Sequence, residues 1–480
     1  MGWTFSVNTY QNFVSNLFVD EDVSSLYSVI DPSTGEPVAK VQLASLALVT
    51  TAVKAAHQAH TAWRRLPGIE RAQGLQRLGD ALLAQRDAIG EALALESGKS
   101  LADACAEVGY GADIVRYHAE WARRIEGEII PSDNAREQLF LHRESIGVVA
   151  CLIPFNFPIY TLLRKIAPAL IAGNTVVVRP SNSTPSSALA LARAVQAAQL
   201  PDGVVNIMAM DHEVCAAMCQ MPGVGMITLT GSVSAGRQIM AYAQTNIAKT
   251  SLELGGKTPA IVAADADLEK AAQAIVNSRL THCGQLCTAV ERVLVERSVH
   301  DALLHRIKTL MAKRSWGNRR DDAAHMGPQA SEKARQNVHA MVQKAVAQGA
   351  TLELGGFMPE GPGFYYPPTL LSGCQQDMEI IQEEVFGPVL AVMACDDMAH
   401  ALACANDHQY GLASVLFTHH HPTVRWFANE VEAGELYVNR TPADPYQGYH
   451  AGWKRSGLGG DDGKHGMLEF TQTRLVVMPY

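Results

Sequence analysis

A thiol, a carboxylate and a side-chain amide are the groups in this chain best placed to do chemistry. Cys287 closes the run Gly284-Gln285-Leu286-Cys287. Upstream, Glu253 opens Glu253-Leu254-Gly255-Gly256-Lys257, and Asn156 sits at the centre of Pro154-Phe155-Asn156-Phe157-Pro158. A thiolate is a soft nucleophile and a carboxylate can take or give a proton, so together they suit covalent catalysis. Each residue also has an ordinary reading. A lone cysteine in an Ala/Val-rich segment is most often a small buried hydrophobe. Glu253 alone reads as a helix cap or a surface carboxylate, but the glycine pair beside it points to a close backbone approach. Cys283, four residues before Cys287, reads as a spectator or as a resolving thiol.

These residues need a rigid frame, and the hydrophobic pattern supplies one. Tyr27 to Val41 reads as strand, turn, strand around Asp31-Pro32-Ser33-Thr34-Gly35. A long Ala/Leu-rich helical region runs from about Ala44 to Ala122, with breaks at Leu66-Pro67-Gly68 and Ser97-Gly98-Lys99. Strands over Gln138–Glu144 and Ser145–Ile153 come next, then a helix over Arg164–Ala172. The apolar run Thr175–Val178, a helix over Ser186–Ala198 and strands at Val204–Ile207 and Met226–Leu229 complete a β-α-β-α alternation, which implies a doubly wound parallel sheet. A second α/β unit begins near Gly255. It has strands at Pro259–Ala263, Ala289–Val295, Pro388–Met393 and Gly434–Asn439, and helices over Asp267–Leu280, His300–Lys313 and Ser331–Gln348. The fold class is therefore α/β.

Composition narrows the function. The 480 residues are 48% hydrophobic, which gives ample material for packed cores, and carry a formal charge of -9, which gives no basic footprint for nucleic acid. Nine scattered cysteines suggest a reducing compartment, and a cytoplasmic protein is expected. Cys283 and Cys287 have no matching second cluster, so no metal site is expected. The start, Met1-Gly2-Trp3-Thr4-Phe5-Ser6, lacks a basic region followed by a long apolar run, although Gly2 with Ser6 fits a loose lipidation pattern. The apolar stretches are too short to span a bilayer.

Taken together and in this order, the three motifs resemble the aldehyde dehydrogenase superfamily from about Tyr27 to the end of the chain. The resemblance implies a Rossmann-like cofactor domain, an α/β catalytic domain and a β oligomerisation arm. It implies that Cys287 attacks the aldehyde, that the Asn156 amide and the Cys287 backbone N–H hold the resulting oxyanion, and that Glu253 activates the water that hydrolyses the thioester. Lys165 matches a lysine that helps relay protons. The corresponding domains are 1–124 and 148–254 for cofactor, 125–147 for the arm, 255–455 for catalysis and 456–480 for a C-terminal return with its own arm strand.

The resemblance also implies NAD as cofactor, with NADP possible. Arg179-Pro180-Ser181-Asn182 stands where relatives carry Lys-Pro-Ser-Glu. Arg179 can fork onto a phosphate, and Asn182 replaces the carboxylate that would repel one. Ala209-Met210-Asp211 stands where relatives often carry glycines. Gly231, Ser232 and Gly236 match the loop and helix start that face the cofactor. Glu384 and Phe386 match the pair at the nicotinamide ribose, and Phe155 replaces a common tryptophan.

Two stretches, Tyr117-His118-Ala119-Glu120-Trp121-Ala122-Arg123-Arg124 and Gly448-Tyr449-His450-Ala451-Gly452-Trp453-Lys454-Arg455-Ser456-Gly457, resemble the bacterial lactaldehyde/glycolaldehyde dehydrogenase branch. That implies a small hydroxy-aldehyde substrate met by Arg164, Thr288, Asp444 and His450. Thr288 and Asp444 replace an Asn and a Glu. A semialdehyde substrate is the alternative, with Arg164 meeting an anionic tail. A homodimer or homotetramer is expected, with an arm at about Ile125 to Gly147 joined by a strand near Thr473 to Met478.

Overall fold

The computed structural model describes residues 8–21, 26–318, 322 and 325–480, so the Gly2/Ser6 pattern lies outside the described residues. Its first large sheet is built on five parallel strands, in the spatial order Lys249–Glu253, Val224–Thr230, Val148–Leu152, Thr175–Arg179 and Val205–Ile207. Antiparallel strands finish its edges: Asn12–Val14 and Leu17–Val19 on one side, Gly457–Leu458 on the other. In chain order the parallel part of the sheet starts at Val148–Leu152, grows outward one way, then returns to grow the other way. The reversal falls between Val148–Leu152 and Val224–Thr230, and such a sheet binds ligands at the carboxyl ends of the strands at that point.

Strand periodicity explains why both faces are covered. Val149 and Cys151 join a core with the helices Gly68–Ala84, Arg86–Ser97, Leu101–Ala119, Pro158–Ile171 and Ser186–Ala197. Val148, Ala150 and Leu152 point the other way, into a core with Leu46–Trp63, His212–Cys219 and Val233–Ala243. A parallel strand buried on both faces reads as a continuous apolar run, as Val148–Leu152 does.

The second sheet has the order Thr351–Leu354, Thr369–Ser372, Val389–Cys395, Arg292–Glu296, Pro259–Val262, Ala413–Phe417 and Glu435–Val438. Every pairing in it is parallel except that of the first two strands. A third, mostly exposed sheet joins Glu128–Ile130, Glu137–Ser145 and Thr471–Pro479.

Three boundaries depart from the expectations for physical reasons. The helix expected from Arg164 begins at Pro158, because proline is well suited to the first helical turn, so Arg164 and Lys165 lie mid-helix. The strand expected from Ala289 begins at Arg292, because Ala289 N–H donates to Leu286 O at 3.2 Å and closes a turn there. The long N-terminal helical region breaks where expected and once more at Gln85, which has neither Gly nor Pro to mark it.

Candidate active site

The first sheet carries most of the expected cofactor and catalytic residues at its carboxyl edge. Glu253 ends the Lys249–Glu253 strand, and Arg179 ends Thr175–Arg179. Asn156 lies in the loop between the Val148–Leu152 strand and the Pro158–Ile171 helix. Cys287 arrives from the second half of the chain, on the loop before Arg292–Glu296. That loop is tightly constrained. His282 and Cys283 take left-handed φ values of 46° and 56°, and Gly284 follows at 73°. Strain of this kind persists only where the surroundings fix it. Here Gln285, fully buried, donates to His282 O (3.1 Å) and Pro328 O (3.2 Å) and accepts from Ala330 N–H (2.9 Å).

The glycine pair after Glu253 is required by close approach. A methyl group on Gly255 would collide with the Glu384 carboxylate, and one on Gly256 would lie 2.6 Å from the Cys287 carbonyl. Asn156, buried, donates from Nδ2 to Gln285 O at 2.8 Å, which ties its amide to the cysteine loop. Sγ of Cys287, a carboxylate oxygen of Glu253 and a ring nitrogen of His450 all lie within 4.8 Å of one another. Burial, with the Glu253 charge next, pushes the Cys287 thiol up to about 12, while His450 pulls it down. The thiol therefore needs a base beside it.

His450, Asp444 and Arg164 are brought together. His450 Nδ1 lies 2.9 Å from Glu435 Oε1 and 3.6 Å from Asp444 Oδ2, and its Nε2 lies 3.2 Å from Glu253 Oε1. Burial alone would lower the imidazole; Asp444 and Glu435 outweigh it and raise His450 well above its ordinary value. Arg164 is buried and surrounded by carboxylates: Asp462 in direct hydrogen bond, Asp444 at 3.5 Å and Asp461 at 4.0 Å. Lys165 Nζ is held by Asp461 (3.1 Å) and Thr228 Oγ1 (2.9 Å). Thr288 is buried next to Cys287 in the chain.

The residues expected at the cofactor lie at strand ends, in loops and at one helix start. Arg179 donates to Asn182 Oδ1 at 3.0 Å and reaches Met210 O at 3.5 Å; its Nε is buried without a partner. Ser181 Oγ accepts from Ser183 N–H. Ser232 caps the Val233–Ala243 helix by accepting from Ala235 N–H, and Gly236 packs against Leu254. Asp211, in the stretch without glycines, caps the His212–Cys219 helix instead. Phe155 and Phe386 meet edge to face at 5.8 Å between ring centres. Glu384 Oε1 accepts from Gly256 N–H at 3.1 Å, and burial raises its carboxyl to about 8. A buried arginine nitrogen without a partner, a capped helix start and a cradle that excludes Cβ atoms all fit a dinucleotide.

Sequence reasoning missed the buried charges that hold this edge together. Glu291 accepts from Val385 N–H (2.9 Å) and Phe386 N–H (3.0 Å), and pairs with Lys257 (2.7 Å) and Arg279 (3.0 Å). Arg279 in turn donates to Gly284 O. One carboxylate thus links the Glu384–Phe386 loop to the turn before Cys287. Glu435, Asp461 and Asp462 were also missed. Glu435 lay in the expected strand Gly434–Asn439, and Asp461 and Asp462 in a run of acids and glycines that a sequence reads as a loop.

Comparison with known proteins agrees with this geometry. The aldehyde dehydrogenase family matches residues 18–476. Lactaldehyde dehydrogenase of Escherichia coli (strain K12) is 41% identical over 469 residues, covering 97% of this chain and 98% of that protein. A crystal structure of lactaldehyde dehydrogenase from Escherichia coli superimposes with a TM-score of 0.97 at 41% identity, covering 98% of this chain and 100% of that one. Mitochondrial succinate-semialdehyde dehydrogenase of Arabidopsis thaliana is 34% identical over 469 residues, covering 98% of this chain and 89% of that protein. The chain belongs to the aldehyde dehydrogenase family and is an NAD(P)-dependent aldehyde dehydrogenase.

Proposed function

We propose that this enzyme oxidises a small, neutral hydroxy-aldehyde of the lactaldehyde or glycolaldehyde type to its carboxylate. The observation that carries this reading is the state of Arg164. Its charge is already matched by Asp444, Asp461 and Asp462, so it offers no free cation to an anionic tail. Around it stands a wall of polar groups, and Asp444, His450 and Thr288 are assigned to the substrate hydroxyl. Such a wall rejects a substrate that lacks the hydroxyl, because its own groups would be left unpaired. The likeness to lactaldehyde dehydrogenase supports the same choice.

In this reading Cys287 attacks the aldehyde carbon. The thiohemiacetal oxygen receives hydrogen bonds from the Asn156 amide and the Cys287 backbone N–H. Bound NAD(P) supplies the acceptor for the hydride that leaves this carbon. Glu253 then takes a proton from the water that hydrolyses the thioester. Lys165, held by Asp461 and Thr228, is assigned the relay of protons. Arg179, Ser181, Asn182, Gly231, Ser232 and Gly236 would hold the dinucleotide, and Glu384, Phe386 and Phe155 would hold its nicotinamide end. With Asn182 in place of a carboxylate, NAD is used and NADP is accepted. The parts 1–124 and 148–254 serve the cofactor and 255–455 the chemistry. Segments 125–147 and 456–480 join a second copy in a homodimer or homotetramer.

The test is kcat/KM for glycolaldehyde, L-lactaldehyde, succinic semialdehyde and propanal, each with NAD and NADP. The hydroxy-aldehydes are expected to lead by about tenfold or more, roughly 1.4 kcal/mol. A lead for succinic semialdehyde would overturn the substrate assignment in favour of the semialdehyde reading, which the Arabidopsis relative represents.

A further inference from the structure

Glu107 and the turn Ser97-Gly98-Lys99 belong to the N-terminal helical region, which carries none of the expected site residues, yet both reach loops that do. Glu107 is buried on the helix Leu101–Ala119. Its Oε1 accepts from Ile159 N–H (3.0 Å) and Tyr160 N–H (3.1 Å), groups that a helix leaves unpaired in its first turn. Phe157, at the entry to Pro158–Ile171, has no side chain able to cap it, so an acid on another helix supplies the cap. Glu107 Oε2 pairs with Lys99 Nζ at 2.5 Å, and Lys99 is buried too. The same Nζ lies 3.6 Å from the centre of the Phe157 ring. Phe157 in turn meets His282 edge to face, with 5.7 Å between ring centres. Phe157 directly follows Asn156, and His282 opens the left-handed turn that leads to Cys287. The Lys99 turn also reaches the cysteine loop by a second route. Gly98, at φ 71°, leaves no room for a Cβ beside Pro328, whose carbonyl accepts from Gln285.

We propose that Glu107, held by Lys99, is a positioning residue for the Asn156 amide: it fixes the helix start and the Phe157 ring on which the direction of that amide depends. This deepens the proposed function and rests on Asn156 being an oxyanion donor there. A buried ion pair adds little net stability against an apolar pair of the same size, so its presence here is better explained by the geometry it fixes. An oxyanion donor works by standing in place before charge develops. Asn156 Nδ2 uses one hydrogen on Gln285 O at 2.8 Å, which leaves the second for the thiohemiacetal oxygen. Where that second hydrogen points is set by the Asn156 backbone, and the Glu107–Lys99 pair grips the three residues that follow it. The pair makes and breaks no bond.

Two reactions of Cys287 separate this role from a general loss of structure. p-Nitrophenyl acetate is attacked at its carbonyl carbon and passes through an oxyanion; iodoacetamide is attacked at a saturated carbon and forms none. Both are followed without cofactor, the first by the p-nitrophenolate burst and the second by peptide mass spectrometry of Cys287. Glu107→Gln is expected to slow the burst by about tenfold, part of the loss for removing a donor outright. Alkylation is expected to stay within about twofold, because the thiol itself is untouched. Glu107→Asp, which keeps the charge, is expected to recover part of the burst rate. In an Asn156→Ala background Glu107→Gln is expected to cost nothing further, because both act through one group. Should Glu107→Gln fail to fold around an unpaired Lys99, the double variant Glu107→Gln, Lys99→Met buries no charge and is read in the same way. The proposal is overturned if burst and alkylation slow together, or if Glu107→Gln costs as much without Asn156 as with it. An Asn156→Ala protein with an unchanged burst would instead remove the oxyanion reading, and this proposal with it.

Discussion

Asn182 is the single side chain on which, in the proposed reading, cofactor choice turns. It accepts a hydrogen bond from Arg179 and places no negative charge beside it. Asn182→Glu restores a carboxylate there, so kcat/KM with NADP is expected to fall by about tenfold or more while NAD changes little, roughly the cost of one like-charge contact. A ratio that does not move would show that the 2′-phosphate lies elsewhere. At this scale the sequence was most informative where a residue type is constrained by space. The Gly255-Gly256 pair announced a close approach, and the structure supplies the reason in the Glu384 carboxylate and the Cys287 carbonyl. It was least informative for Arg164. A sequence shows the cation but not Asp461 and Asp462 beside it, which lie about three hundred residues away.

Elements were legible in proportion to their periodicity. The double-sided apolar strand Val148–Leu152 and the helices His300–Lys313 and Glu332–Ala347 stand close to where the pattern put them. Short strands such as Asn12–Val14 and Gly457–Leu458 are made by their partners in the sheet and leave little trace in composition. Glu291 was invisible for the same reason: it reads as a charge at the head of a strand and serves as a buried rivet between two loops. Glu291→Gln leaves Lys257 and Arg279 buried without their anion. A loss of about 3–5 kcal/mol is expected in urea unfolding. The pH dependence has a definite sign. Despite its burial, Lys257 and Arg279 hold the Glu291 carboxyl below its ordinary 4.5. Its contribution is therefore present above that value and is lost as pH falls through the lowered one. The wild type should lose stability across that acid range, and the variant should lack that part of the slope. Equal slopes would remove Glu291 from the account.

At the scale of the molecule, the third sheet presents an apolar face that one copy of the chain leaves in water. Leu475 and Val477 alternate along the Thr471–Pro479 strand, opposite Leu141 and Leu139, and are 55% and 50% exposed. A strand with such a face invites a second copy. The double variant Leu475→Lys, Val477→Lys is expected to lower the assembly state in sedimentation, and wild-type sedimentation as a monomer would end that idea. Among the described residues no helix is long and apolar enough to cross a membrane. The last thirty residues have a second consequence. They supply Asp461 and Asp462 to the site, an edge strand to the first sheet and a full strand to the third. Without this stretch Arg164 keeps Asp444 alone, Lys165 loses its carboxylate and the third sheet loses its longest strand. Charge balance at the site and the exposed apolar sheet are therefore coupled through one short piece of chain, so damage to it is expected to remove activity and assembly together.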